Sequence, residues 1–273
     1  MPRTLRLVPF LTVLALGRAH AAPRPETGFG LPRDVSLDGW RIDWLIDVTL
    51  IAVTVLFVIM VVWMLIACLR HGRRHAAHYD PGDSRRAIGA KALVAGAIFL
   101  GVDGNLFVNS TRDLKEVFWN FERVEADPRA VRVEVNAHQW AWDFRYPGPD
   151  GRFNTADDIV TLNELRVPID TPVLLQLGAT DVIHSFYVPN LRVKTDCVPG
   201  SLSRVWFQAK ETGEFEIGCA QHCGTHHYKM RGLLRVVAQS EWEAWHREAS
   251  AIASRAFDPS DERAQWGWPW RKP

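Results

Sequence analysis

The run from Trp44 to Leu69 constrains this chain more than any other stretch. It is apolar for 26 residues, and its only charged residue is Asp47, near the start. At about 1.5 Å per helical residue it exceeds the roughly 30 Å hydrocarbon core of a bilayer. We assign residues 44–69 to a first transmembrane helix. A second apolar stretch, assigned to 92–109, is shorter, has Gly96, Gly101 and Gly104 inside it, and carries Asp103 and Asn105. Together the two read as a membrane hairpin. The connecting segment, 70–91, holds Arg70, Arg73, Arg74, Arg85, Arg86 and Lys91 against Asp80 and Asp83. Such an excess stays on the cytoplasmic side. The preceding segment, 22–43, and everything after the second crossing are then extracytoplasmic.

Residues 1–21 have the form of a signal peptide. Arg3 and Arg6 begin it, Leu7 to Leu16 form the apolar middle, and Ala19-His20-Ala21 supplies a small-x-small cleavage site. Asp103 has two readings, a proton-bearing contact with a partner subunit or a carboxylate solvated near the outer membrane interface. We expect the second.

Beyond residue 130 the pattern changes to short β-rich runs. Val131 to Val135 alternates apolar and polar as a half-buried strand does. Further runs lie at 159–162, 172–177, 182–188, 204–208, 214–217 and 232–237, punctuated by Gly, Pro, Asp and Asn. Seven short strands in about 110 residues predict a Greek-key β-sandwich or barrel. Ser240 and Glu243 have capping-box spacing, which predicts a helix to about Arg255. The tail Trp266-Gly-Trp-Pro-Trp270 is too rich in Pro and Gly for regular structure. The expected organisation is therefore membrane-anchored α+β: the hairpin, a β domain over 110–240, and a C-terminal helix and tail over 241–273.

Net charge is +1, which argues against a nucleic-acid binder. The four cysteines, Cys68, Cys197, Cys219 and Cys223, are too few for a disulfide scaffold of this size. No Cys-x-x-Cys-His occurs to attach a haem covalently. The chemistry concentrates in Cys219-Ala-Gln-His-Cys223-Gly-Thr-His-His227-Tyr-Lys-Met230, with Asp181-Val-Ile-His184 upstream. Thiolates, imidazoles and a thioether are soft ligands suited to copper. One Cys with two His and Met would make a mononuclear blue site. A second Cys lets two thiolates bridge two copper ions, while two Cys and two His could also hold zinc.

The same segment resembles the copper motif of cytochrome c oxidase subunit II, C-x-E-x-C-G-x-x-H-x-x-M. His184 falls in a matching D-V-I-H-S-F stretch, and His138-Gln-Trp140-Ala-Trp142 resembles the family's aromatic run. The likeness spans residues 40–240. It implies a cupredoxin-like domain holding a dinuclear CuA centre, two coppers per chain. Cys219 and Cys223 would bridge the metals, and His184 and His227 would be the terminal imidazoles. Met230 would be a weak axial ligand, and the Gln221 backbone carbonyl a further contact. Trp140 matches the tryptophan that receives the electron. By this resemblance the chain is the electron-entry subunit of a terminal oxidase in a bacterial inner membrane, an oxidoreductase and translocase complex. It would take electrons from cytochrome c and pass them to haem in subunit I, with subunit III as a further partner, and would not itself reduce oxygen. The alternatives are a copper-free quinol-oxidase-type subunit and a membrane-anchored copper carrier.

The sequence departs from the motif at Gln221, where the family has a glutamate that helps hold magnesium at the border with subunit I. Without that carboxylate the magnesium contact is not implied here. Cys197 is expected to be a buried free thiol, and His138, His222 and His226 to lie around the site without ligating. The insertion 149–158 has calcium-loop character in Asp150, Asn154, Asp157 and Asp158, and a solvated hairpin loop is expected instead. Residues 110–273 carry 23 acidic and 20 basic side chains. Asp143, Asp150, Asp157, Asp158 and Glu164 are therefore expected to form an acidic patch near Trp140 that attracts a basic donor.

Overall fold

The computed structural model describes residues 30–260 apart from 73–75, 77, 80 and 259. The signal-peptide assignment and the Trp266–Trp270 tail lie outside the described residues. Two long helices are followed by a β-sandwich. Helix α1 runs Gly39–Arg70. The second helical stretch is α2 (Arg85–Ile98), a π turn at Phe99–Asp103, α3 (Gly104–Asp113), a second π turn at Leu114–Phe118, and α4 (Phe121–Glu125). Both stretches, Gly39–Arg70 and Arg85–Glu125, are long and apolar enough to cross a membrane.

Each helix outruns its apolar stretch because its polar ends have partners. Arg41 Nη1 donates to Asp113 Oδ1 at 2.7 Å and ties the outer ends of the two helices together. Arg192 holds Asp43 at 2.7 and 3.0 Å and ties α1 to the β domain. The Arg41–Asp113 pair also sets a depth. Asp103 lies ten residues before Asp113, about 15 Å along the helix. Asp103 itself is exposed on the helix surface.

The β domain contains ten strands where seven were expected. They are β1 (Val131–His138), β2 (Ala141–Tyr146), β3 (Ile159–Leu162), β4 (Glu164–Pro168), β5 (Pro172–Ala179), β6 (His184–Val188), β7 (Val193–Cys197), β8 (Ser203–Gln208), β9 (Gly213–Cys219) and β10 (Arg231–Val237). Two five-stranded sheets, ordered β3-β2-β1-β5-β8 and β4-β10-β9-β6-β7, pack face to face. The strands missed in the sequence are β2, whose aromatic run hides its alternation, and β4 and β7, which are only five residues each. Residues 182 and 183 precede β6 rather than belonging to it, because the Asp181 carboxylate takes the Val182 amide and turns the chain.

The sandwich interior is built from Trp142, Phe144, Phe186, Leu165, Leu177, Ile217 and Leu234. Helix α5 (Gln239–Ala256) closes one end, with Trp242 and Trp245 packed on Tyr146 at 5.7 and 5.3 Å between ring centroids. Its N-cap is Ala238, so the Ser240–Glu243 capping box does not form. Ser240 lies inside the first turn, and Gln239 bonds Glu243 instead. The foot of the second helical stretch packs Val117 and Val124 on Leu174 and Trp206, whose indole donates to the Val117 carbonyl at 3.0 Å.

Strand β1 departs from the half-buried alternation. Glu134 is 1% exposed, because Arg145 of β2, fully buried, donates to it through Nε at 2.8 Å and through Nη2. Asp158 joins them, 3.9 Å from Arg145 Nε. Burial draws the guanidinium down to about 10, so it stays charged at neutral pH, and raises Asp158 from 3.8 to about 6. Two carboxylates share one cation here, so the second is the easier to protonate. The folded chain holds the Asp158 proton to higher pH than the unfolded chain does. Its contribution to stability is therefore present below about pH 4 and lost as pH rises through about 6. Asp158→Asn should accordingly gain on the unsubstituted chain as pH rises, reaching a plateau above about pH 6. Thermal unfolding midpoints in detergent across this range test it, and a difference that does not vary with pH would refute it.

Candidate metal centre

The centre forms where two strands of one sheet meet a loop. Cys219 ends β9, and the loop from 220 to 230 returns through a short 3-10 turn at His227–Lys229 to Arg231, the first residue of β10. The Cys219 amide donates to the Met230 carbonyl at 3.2 Å, which closes the base of this loop. His184 comes from the neighbouring strand. β6 pairs antiparallel with β9 in the register Phe186↔Cys219, and the Ala220 amide donates to the Ser185 carbonyl at 2.9 Å. That register carries His184 across the 35-residue gap in sequence.

The donor atoms converge. The Cys219 and Cys223 sulfurs are 3.8 Å apart. Nδ1 of His184 is 4.0 Å from the Cys219 sulfur and 3.2 Å from the Met230 sulfur. Nδ1 of His227 is 3.6 Å from the Cys223 sulfur, and the Met230 sulfur is 3.7 Å from Cys223. The Gln221 carbonyl lies 3.2 Å from the Cys219 sulfur. The ligand atoms of His184, Cys219 and Cys223 all fall within 4.8 Å of one another. His184, Cys223 and Met230 are buried, while Cys219 is half-exposed.

A disulfide needs sulfurs about 2.05 Å apart, so this is a pair of thiols. With metal–thiolate bonds of about 2.3 Å, a 3.8 Å separation subtends roughly 110° at a metal, close to tetrahedral. His184 lies against Met230, and both Met230 and His227 lie beside Cys223. This donor set fits a soft metal.

The thiols titrate as a pair. Burial raises both. For Cys219 this is outweighed by hydrogen bonds from His184 and from backbone amides, which lower it, and the charge formed there then raises Cys223. A metal that takes both as thiolates therefore releases protons on binding. His184 is held in place by Asp181, whose Oδ1 is 2.9 Å from Nε2. Burial pushes the imidazole down, but its bonds to Cys219 and Asp181 outweigh this and raise it. Such a carboxylate fixes the ring orientation of a ligating histidine.

Around the centre, Trp140 lies tilted against His226 at 4.5 Å between ring centroids, and His222 lies edge-on to His227 at 5.5 Å. His138 pairs with Asp143, which raises its pKa. Cys197 sits opposite His184 in the β6–β7 pairing. It is fully buried and its thiol is pushed up to about 12. Two contributors lie inside the stretches that carry the resemblance but were given no role from the sequence. Asp181 and Gln139 are polar residues like many others in this chain until the fold brings them to the site.

The acidic patch expected near Trp140 does not form there. Strand β2 starts beside Trp140 and ends at Tyr146, about 17 Å away at strand rise. Loop 147–158 hangs from that far end and packs on α5, where Ser250 Oγ donates to the Asp157 carbonyl and His246 Nε2 lies 2.9 Å from the Pro147 carbonyl. Asp158 is buried beside Arg145, and Glu164 is paired with Arg166 and Arg235. The loop is thus stapled to the domain rather than simply solvated.

Residues 131–237 match the family model for the periplasmic domain of cytochrome c oxidase subunit II. The chain is 36% identical over 173 residues to the alternative cytochrome c oxidase subunit 2 of Bradyrhizobium diazoefficiens, a match covering 55% of this chain and 62% of that protein. It is 38% identical over 128 residues to cytochrome c oxidase subunit 2 of Thermostichus vulcanus, covering 47% of this chain and 36% of that protein. Among solved structures, the periplasmic domain of cytochrome oxidase subunit II from Bradyrhizobium japonicum aligns at 28% identity with a TM-score of 0.40, over 45% of this chain and 94% of that one. The matches span less than two thirds of the length of these curated relatives.

Proposed function

We propose that this chain, whose residues 131–237 match the family model for the periplasmic domain of cytochrome c oxidase subunit II, is the electron-entry subunit of a membrane-bound terminal oxidase. In this reading the site holds two copper ions. Cys219, Cys223, His184, His227 and Met230, with the Gln221 backbone carbonyl, would hold them, the thiolates and imidazoles as the strong ligands and the thioether as the weakest. The observation that carries the reading is the thiol pair at 3.8 Å, flanked by His184 with Met230 and by His227. Bound copper would supply a one-electron couple. The protein supplies two thiolates held at fixed separation, an imidazole oriented by Asp181, and a largely buried pocket, so little rearrangement accompanies a change of charge. No magnesium carboxylate stands at position 221.

The domain organisation follows the same reading. Residues 1–21 are a signal peptide and 22–43 an outer segment. Residues 44–69 and 92–109 cross a bacterial inner membrane, with 70–91 on the cytoplasmic side. The copper domain and the C-terminal helix and tail lie in the periplasm. Electrons arrive from a c-type cytochrome through Trp140 and leave for haem in subunit I, with subunit III completing the complex.

The deciding experiment is metal analysis with electron paramagnetic resonance on the copper-loaded chain. Two coppers per chain in a mixed-valence state are expected. One copper with a single-copper hyperfine pattern, or retention of zinc in preference, would sink the dinuclear reading. Met230→Leu should keep both coppers and shift the reduction potential, because a thioether is the weakest ligand of the set. If it lost copper as fully as a cysteine change, the ranking of ligands would be wrong.

A further inference from the structure

Strand β1 runs up to the metal centre and stops at His138, and the two residues that follow, Gln139 and Trp140, turn into β2 directly over the loop from 220 to 230. Gln139 bonds to both halves of the centre. Its backbone amide donates to Asp181 Oδ2 at 2.6 Å, and the other oxygen of that carboxylate meets His184. Its side-chain amide donates to the Cys223 carbonyl at 2.7 Å. The next residue in the loop is Gly224, at φ +121°, a backbone conformation that side chains disfavour. A β-carbon placed on it would stand 2.8 Å from Gln139 Nε2 and 3.3 Å from both Cζ2 and Nε1 of Trp140. The indole therefore lies on bare backbone, one residue from a thiol of the centre. Its ring nitrogen is buried without a hydrogen-bond partner among the described residues, and its other flank is covered by His226. Packing alone, and no polar bond, sets where this ring sits.

We propose that Gly224 and Gln139 are positioning residues that set the electron-entry gap. Gly224 removes the atom that would lift the indole off the loop, and Gln139 clamps the Trp140 strand to the Cys223 peptide. The inference rests on the electron-entry reading of Trp140. One electron leaves the reduced haem of a c-type cytochrome, which is oxidised by one, and the copper centre is reduced by one. No bond forms or breaks and no proton moves. Electronic coupling falls steeply across a gap through space and slowly along covalent bonds. The indole faces the Gly224 backbone with no side chain between them, and from Gly224 only the bonds to Cys223 are left to cross. An added methyl group would crowd the Gln139 amide at 2.8 Å and the indole at 3.3 Å, on a backbone conformation that side chains disfavour, so the clamp and the ring must both shift.

Three variants of the full-length chain test this: Gly224→Ala, Gln139→Met and Trp140→Ala. Two measurements are made, the first on the two variants that keep Trp140 and the second on all three. Hydroxyl-radical labelling of Trp140 in the metal-free chain, read by mass spectrometry, reports whether the indole has left its seat. Stopped-flow reduction of the copper-loaded chain by reduced cytochrome c reports entry, with the copper spectrum and potential recorded alongside. Gly224→Ala should increase labelling of Trp140 and slow entry, by less than Trp140→Ala does. Its copper spectrum should be unchanged. Gln139→Met, which keeps side-chain length but loses the donor, should do the same to a smaller degree. If Trp140→Ala leaves entry unchanged, the entry reading itself fails. If Trp140→Ala slows entry but Gly224→Ala and Gln139→Met do not, although Trp140 has become accessible, the seating inference is overturned and the entry reading survives. An altered copper spectrum in both positioning variants would also overturn it, since the two residues would then be shaping the ligand loop rather than the gap.

Discussion

In the Cys223→Ser chain we expect the mixed-valence copper signal to disappear and reduction by cytochrome c to fall to background. A serine oxygen is a hard donor that stays protonated at neutral pH, so it cannot replace a bridging thiolate. Cys223 is also the most connected donor of the site. Its sulfur is within 3.8 Å of those of Cys219 and Met230 and 3.6 Å from His227 Nδ1. Its carbonyl takes the Gln139 amide. The loss should be specific to the metal. The site lies at the end of the sandwich, and β9 and β10 pair along their length independently of it. The unfolding midpoint of the metal-free variant should therefore match that of the metal-free parent. Cys219→Ser should behave in the same way. Retention of two coppers in either variant would remove the bridging assignment.

The second large effect concerns stability and lies at the other end of β2. Arg145→Met should cost about 3–5 kcal/mol, the usual penalty for removing one partner of a buried ion pair. Methionine fills much of the volume of the arginine stem, so the loss is electrostatic rather than a cavity. What remains is Glu134, 1% exposed, and the buried Asp158, without their shared cation. Both would be driven to take up protons, so the defect should be worst above neutral pH and relieved in acid. Denaturant unfolding of the full chain in detergent at two pH values measures this. A defect of equal size at both would point to lost packing instead. Replacing Glu134 and Arg145 together by apolar residues should recover part of the loss, because breaking such a pair costs more than removing it.

The same buried group bears on how a donor docks. The acids at 157 and 158 looked from the sequence like part of an electrostatic landing site. The fold puts them on a loop stapled to α5, with Asp158 buried beside Arg145, at the end of the strand away from Trp140. What surrounds the metal loop is of a different character. Val182, Ile183 and Tyr228 are exposed there, and the acids Asp181 and Asp143 are bound to His184 and His138. An encounter over this face should depend only weakly on salt, because the two acids nearest the metal loop are already paired and charges further off are screened within about 8 Å at physiological ionic strength.

Some of this protein was determined by the sequence alone, because the signals are local. The apolar run at 44–69 can satisfy its backbone only as a helix once it is in lipid, so the hairpin needed no knowledge of what packs on it. Four of the proposed copper contacts with side-chain donors, Cys219, Cys223, His227 and Met230, lie within twelve residues, so their spacing along one loop was legible as metal chemistry. Contacts between distant segments were decided only in the tertiary structure. His184 reaches the loop through the β6–β9 register, and a one-residue slip would turn its side chain to the other face. Glu134, a polar position in an alternating strand, is buried because Arg145 lies opposite it in β2. Gln139 and Gly224 gain their part from the crossing of a strand end over a loop some 84 residues later. Spacing along the chain can specify which donors are available. Only the packing of two sheets sets how far the tryptophan stands from them, because that distance belongs to no single segment.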